Sequence, residues 1–280
     1  MTTQDEDTGD AHTSREVDPH ELNPSGRLYL YLRHVDDAGN TRMDQCLANY
    51  LKISRSDLPS LFAAAAEIST FPEQIRATLQ DDPDATLVPF VTEELEKADA
   101  AIAWSESLQG EADRFRSHYD DGTLRILEAW SRELNKRQRS KPETVTRQLS
   151  EVRELLDAVA RDIRDDVDID PRVRAILVRH INALVTSIDQ FYVGGVEALL
   201  DELDRLTGVY IRDPRVSGEI HRRPGWGQRL SQVAMLIGAI GTAIHGIEQI
   251  APAVVDFLQL PSAVILAPPS DLTPDDVELA

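Results

Sequence analysis

Asp166, Asp168 and Asp170 alternate along the chain as the first acids of a calcium-binding loop do. Such a loop needs a sharp turn at its sixth position and a two-oxygen glutamate at its twelfth. Pro171 and Leu177 stand there instead, so the acids read as the overrun of one helix and the Asp170 N-cap of the next. The histidines (His12, His20, His34, His118, His180, His221, His245) include no HExxH pair and have no cysteine partners. His118 lies near Asp120 and Asp121, which suits a solvated loop better than a zinc cage. Cys46 is the single cysteine, so it reads as a small apolar residue on a buried helix face. No glycine-rich phosphate cradle and no nucleophile elbow occurs. No metal and no cofactor is expected.

One spacing points to catalysis. Arg174-Ala-Ile-Leu-Val-Arg-His180 resembles the Arg-x4-6-His motif of the helical HEPN ribonuclease family. The resemblance covers seven residues and implies that Arg174 and His180 serve phosphodiester cleavage. Ala175 replaces the polar residue usual after the arginine, and Arg215 to His221 and Arg15 to His20 match as loosely. An enzyme of this kind is one alternative; a protein without catalysis is the expectation.

The charge balance narrows the partners. Forty-nine acids against 29 lysines and arginines give a net charge of -20, a surface that repels phosphate backbones. Nucleic acid is therefore not the expected partner. Hydrophobic content of 41% is enough to bury a core at 280 residues, and aromatics are only 5%. Ala, Leu, Glu and Arg dominate and no period-two run of β-branched residues occurs, which predicts an all-α protein. The general run of short helices, a capped helical hairpin and an apolar tail over residues 27–260 resembles uncharacterised helical proteins of high-GC bacteria. That resemblance carries no activity and identifies no site.

The elements that would position these residues follow from caps and periodicity. Residues 1–25 read as a disordered acidic tail, and 26–139 as an N-terminal helical region. In that region Phe71-Pro72 is expected to open a new short helix. Residues 140–211 read as a three-helix unit beginning at the capping-box pattern Ser140-Lys141-Pro142-Glu143. Val145, Leu149, Val152, Leu156, Val159 and Ile163 repeat in a 4-3-4-3-4 rhythm on one stripe. Leu177, Ile181, Leu184 and Ile188 continue it on a second helix, joined by a short connection that predicts an antiparallel hairpin. Gly194-Gly195 separates a third. Residues 212–228 read as a basic Pro/Gly linker, 229–267 as an apolar helical segment, and 268–280 as an acidic tail.

The apolar segment is where function is expected. From Leu230 to Ile247 eighteen residues pass without a formal charge, inside this strongly anionic chain. Arg222, Arg223 and Arg229 precede it with Trp226 among them, an arrangement that also suits a membrane boundary. Its seven Leu, Ile and Val residues gain about 2–4 kcal/mol in a bilayer, and Glu248 alone offsets about 2.5–3.5. Insertion of a single helix is marginal. The expectation is a multi-helix bundle acting as a non-catalytic interaction or regulatory protein in the cytoplasm. Residues Trp226, Arg229, Ala234, Gly238, Thr242, His245, Gly246 and Glu248 are its candidate contacts, toward a protein partner, a second copy (self-association) or a membrane surface. A membrane-inserting effector acting through 229–267 is the other alternative.

Overall fold

A computed structural model describes residues 15–80, 86–105, 108–137 and 141–245. Among them the chain is all-helical, and no strand forms. A 3-10 turn, Pro19–Leu22, leads into α1 (Pro24–Asp37), α2 (Met43–Leu51), α3 (Leu58–Gln80), α4 (Val88–Ser105), α5 (Ala112–Arg116) and α6 (Asp121–Arg137). Then come α7 (Pro142–Asp165), α8 (Pro171–Asp189), α9 (Phe191–Arg212), α10 (Pro214–Arg222) and α11 (Pro224–His245).

Two apolar cores result. The first gathers Leu28, Leu32, Leu47, Phe71, Phe115 and Trp130 from α1 to α6, together with Tyr192 and Val193 of α9. The second holds the α7 stripe from Val145 to Ile163, with Leu177, Ile181 and Leu184 of α8 and Leu199, Leu203 and Leu206 of α9. Val216 and Ile220 of α10 and Val233, Ile237, Ile240 and Ile244 of α11 complete it. The α7 residues on the 4-3 stripe are all buried, which is why that helix carries so clear a sequence rhythm.

Several proline-rich stretches behave differently from expectation, and for one reason. Pro214 and Pro224 occupy the first turns of α10 and α11, so residues 212–228 are helical instead of a linker. Proline fits there because a first-turn N–H has no intrahelical acceptor. Asp213 supplies the cap by accepting from the Arg215 N–H at 2.9 Å. Pro24 opens α1 in the same way, with Asn23 accepting from the Gly26 N–H at 2.8 Å. The chain is therefore laid against the fold well before residue 25: Val17 and Leu22 are buried in the second core. Two isolated apolar residues gave no period to read. Residues 1–14 lie outside the described residues.

α3 runs unbroken through Pro72, where two helices were expected. Leu61, Ala64, Ile68, Phe71, Ile75 and Leu79 form one buried stripe across it, and that burial outweighs the lost backbone bond. At the start of α7 the N-cap is Lys141, without a side-chain cap; Ser140 lies outside the described residues. Asp170 caps α8 as expected, accepting from the Arg172 N–H at 2.7 Å.

The cores meet at the start of α9. Gly195 sits there at φ 59, ψ -157, inside an otherwise helical run. Arg27, 1% exposed, reaches this kink from α1. It donates to Gln74 Oε1 at 2.9 Å and to Glu197 Oε2 at 3.3 Å, and its guanidinium lies over the Phe71 ring. Tyr50 meets Tyr192 edge-on at 5.3 Å beside it.

Candidate functional site

The uncharged run forms most of α11, and its two faces differ. Leu230, Val233, Ala234, Ile237, Ile240 and Ile244 are buried against α7 and α9. Gln228, Gln232, Met235 and Ala239 are exposed, with Thr242 half-buried in line with them. Their spacing is 4-3-4-3, which keeps one stripe of a helix pointing outward. No member of that stripe carries a charge. Met235 is 51% exposed, a large apolar side chain at its centre.

Among the candidate contacts, Trp226, Ala234 and Gly238 are buried inside this chain, so their surface is already used. The small size of Ala234 and Gly238 suits close helix approach, and the approach is to the chain's own second core. Thr242 is half-buried and His245 ends α11. Gly246 and Glu248 lie outside the described residues. Of the outward stripe only Thr242 is among the candidate contacts read from sequence; the 4-3 count applied to Gln228, Gln232, Met235 and Ala239 finds the rest.

The basic cluster before the apolar run is paired with the protein's own acids. Arg222 bonds Glu219 at 2.7 Å, Arg223 bonds both Glu219 and Asp166, and Arg229 bonds Asp162. Arg223 also lies over the Trp226 ring at 4.8 Å. Its guanidinium holds the Asp166 carboxyl below the usual range. The arginines thus fasten the α10–α11 corner to the end of α7. No helix among the described residues is long and apolar enough to cross a membrane.

Arg174 and His180 both lie on α8. Six residues on a helix place them about 120° apart. Arg174 bonds the Asp166 carbonyl at the α7–α8 connection. His180 is near Glu202 and Arg205 of α9, and burial lowers its pKa, followed by the nearby Arg179 charge. A second pair has the outline of a nucleophile and base: His20 Nδ1 lies 2.8 Å from Ser131 Oγ. Ser131 is fully buried, however, and accepts from Asn23 Nδ2 at 3.0 Å. This pair fastens the first turn to α6. No group of three or more His, Cys, Asp or Glu among the described residues could hold a metal. Cys46 is buried and its thiol is pushed up to about 11 by that burial, which makes it a poor nucleophile.

Glu21 is the titratable group that sequence gave no sign of. It is 1% exposed, and burial pushes its carboxyl up to about 7 even against the attraction of Arg15, which bonds it. A raised carboxyl favours the folded state while protonated, so its contribution is fully present below pH 4.5 and is lost as pH rises to about 7. The linked loss is on the order of 3 kcal/mol. Urea unfolding of the wild type between these limits is expected to show that decline, and Glu21→Gln is expected to flatten it. An equal slope in both proteins would exclude Glu21 as its source.

Comparison with protein-family models, with curated proteins and with solved structures finds no match.

Proposed function

We propose that the protein is a non-catalytic helical interaction protein that acts by self-association, two copies meeting along the outer stripe of α11 and the apolar sequence that follows it. The supporting observation is the charge-free row Gln228, Gln232, Met235, Ala239 and Thr242 on the surface of a chain with net charge -20. Two identical anionic molecules repel wherever their ordinary surfaces meet. A neutral stripe with small and amphipathic side chains lets copies approach, and a two-fold contact needs only self-complementarity.

Area decides how much of the tail must join in. The stripe is about 21 Å long and about one helix-width across, a few hundred Å² per copy. A stable dimer buries roughly 1,200–2,000 Å² in total, so residues 246–267 supply the remainder in this reading. The finer architecture belongs to the same proposal: α7 and α8 as an antiparallel hairpin covered by α9, with α11 as the first part of a C-terminal apolar segment. A cytoplasmic setting accompanies it, since the free Cys46 thiol needs no oxidising compartment.

Light scattering on the purified full chain is expected to give twice the 31.2 kDa chain mass. A chain ending after His245 is expected to dissociate more readily while keeping its helical signal. A full chain that is monomeric at high micromolar concentration contradicts self-association. A monomer that also co-sediments with neutral lipid vesicles transfers the stripe to a membrane role.

A further inference from the structure

We propose that the cavity between residues 15–22, α7 and the α8–α9 junction binds a short aliphatic carboxylate. The cavity measures about 150 Å³. At about 30 Å³ per water it has room for a ligand of roughly four carbons, the carboxyl carbon included. Its walls divide by chemistry. Val17, Leu149 and Phe191 are buried apolar residues on one part, and Arg15, Arg153 and Glu21 line another.

The guanidinium of Arg153 has capacity to spare. Its Nη1 bonds Asp189, a carboxylate 54% exposed, while its buried Nε makes no hydrogen bond and lies 3.8 Å from Asp157 Oδ2. A buried donor left unsatisfied costs free energy that an incoming oxygen would recover. Arg15 is half-exposed, bonds Glu21, and lies 4.5 Å over the Tyr192 ring. Both cations can therefore turn to a ligand by exchanging one carboxylate for another. A planar guanidinium matches a carboxylate in shape, and the apolar wall selects a ligand with a short hydrocarbon tail over a bare anion.

Protonation couples to this exchange. The cavity lining holds two cations, Arg15 and Arg153, and two carboxylates, Glu21 and Asp189, with Asp157 of α7 paired to Arg153 from outside it. Glu21 is faced also by Asp18 of its own segment, by Tyr192 of α9 and by Tyr50 of α2. When Glu21 takes up a proton the lining gains one unit of positive charge and Arg15 loses its ionic partner. Its carboxyl titrates near 7, so binding strengthens as pH falls through neutrality.

The test is calorimetric titration of butyrate into the full chain, with inorganic phosphate as the comparison anion. Dissociation constants on the order of 1 mM are expected for so small a ligand. Affinity is expected to fall about tenfold between pH 6 and pH 8. Glu21→Gln is expected to bind alike at both pH values, and Arg153→Gln to lose binding. Ser150→Met, which fills the cavity and leaves its charged residues in place, is expected to lose binding too. No saturable uptake of butyrate at pH 6 overturns the proposal. So does phosphate binding as tightly as butyrate, or full retention of binding in Ser150→Met.

Discussion

Gly195→Ala is expected to lower the stability of the fold by about 3 kcal/mol or more. Two causes add. At φ 59 and ψ -157 the backbone lies in a region that only glycine occupies without strain. A Cβ there would also stand 1.8 Å from Arg27 Nη1 and 2.4 Å from Glu197 Oε2. Arg27 cannot swing aside, because it is 1% exposed and tied to Gln74. The kink lets the α9 backbone pass close to a buried cation shared by both cores. Denaturant unfolding measures the loss, and a midpoint within experimental error of the wild type would contradict this account of the junction.

The second large effect separates the two faces of α11. Ala234→Asp is expected to cost about 2–4 kcal/mol, since Ala234 is fully buried and the new carboxylate would lose its hydration. Ala239→Asp, five residues on and exposed, is expected to change stability by no more than about 0.5 kcal/mol. Its effect falls on association instead: a carboxylate on each copy brings like charges into the neutral stripe. Thermal unfolding of the two variants, beside their mass in solution, resolves this. Equal destabilisation by both would mean that the helix is oriented otherwise.

The same comparison shows what could be read from residues alone. The α7 stripe was legible because a long helix buried along one side must repeat its apolar residues in a 4-3 rhythm. α11 was legible as an uncharged run, yet not its direction: Ala, Gly and Thr suit a buried seam and an exposed one alike. Pro214 and Pro224 misled because proline both stops helices and starts them; Asp213 caps the helix at Pro214, whereas Arg223 before Pro224 is not a capping residue type. Pro72 misled for the opposite reason, since the stripe from Leu61 to Leu79 is strong enough to carry a helix past it. Glu21 and Arg153 left no trace at all. They are 132 residues apart in sequence, and only the fold brings them to the same cavity.

The arginines before the apolar run carry a further lesson. As a sequence cluster, Arg222, Arg223 and Arg229 suit a membrane boundary. In the fold each is bonded to an acid of α7, α10 or the connection after α7. A cluster of one sign in sequence says little about surface potential until its partners are known.

Self-association through α11 is tested most directly by cysteine crosslinking in solution. Gln228, Gln232, Met235 and Ala239 are each replaced by cysteine in the full chain, with Glu151→Cys on exposed α7 surface as the comparison; the native Cys46 is buried. Mild oxidation is expected to join copies through one or two of the stripe positions and to leave the Glu151 variant single. If no stripe position joins, or Glu151→Cys joins as readily, two copies do not meet along this helix.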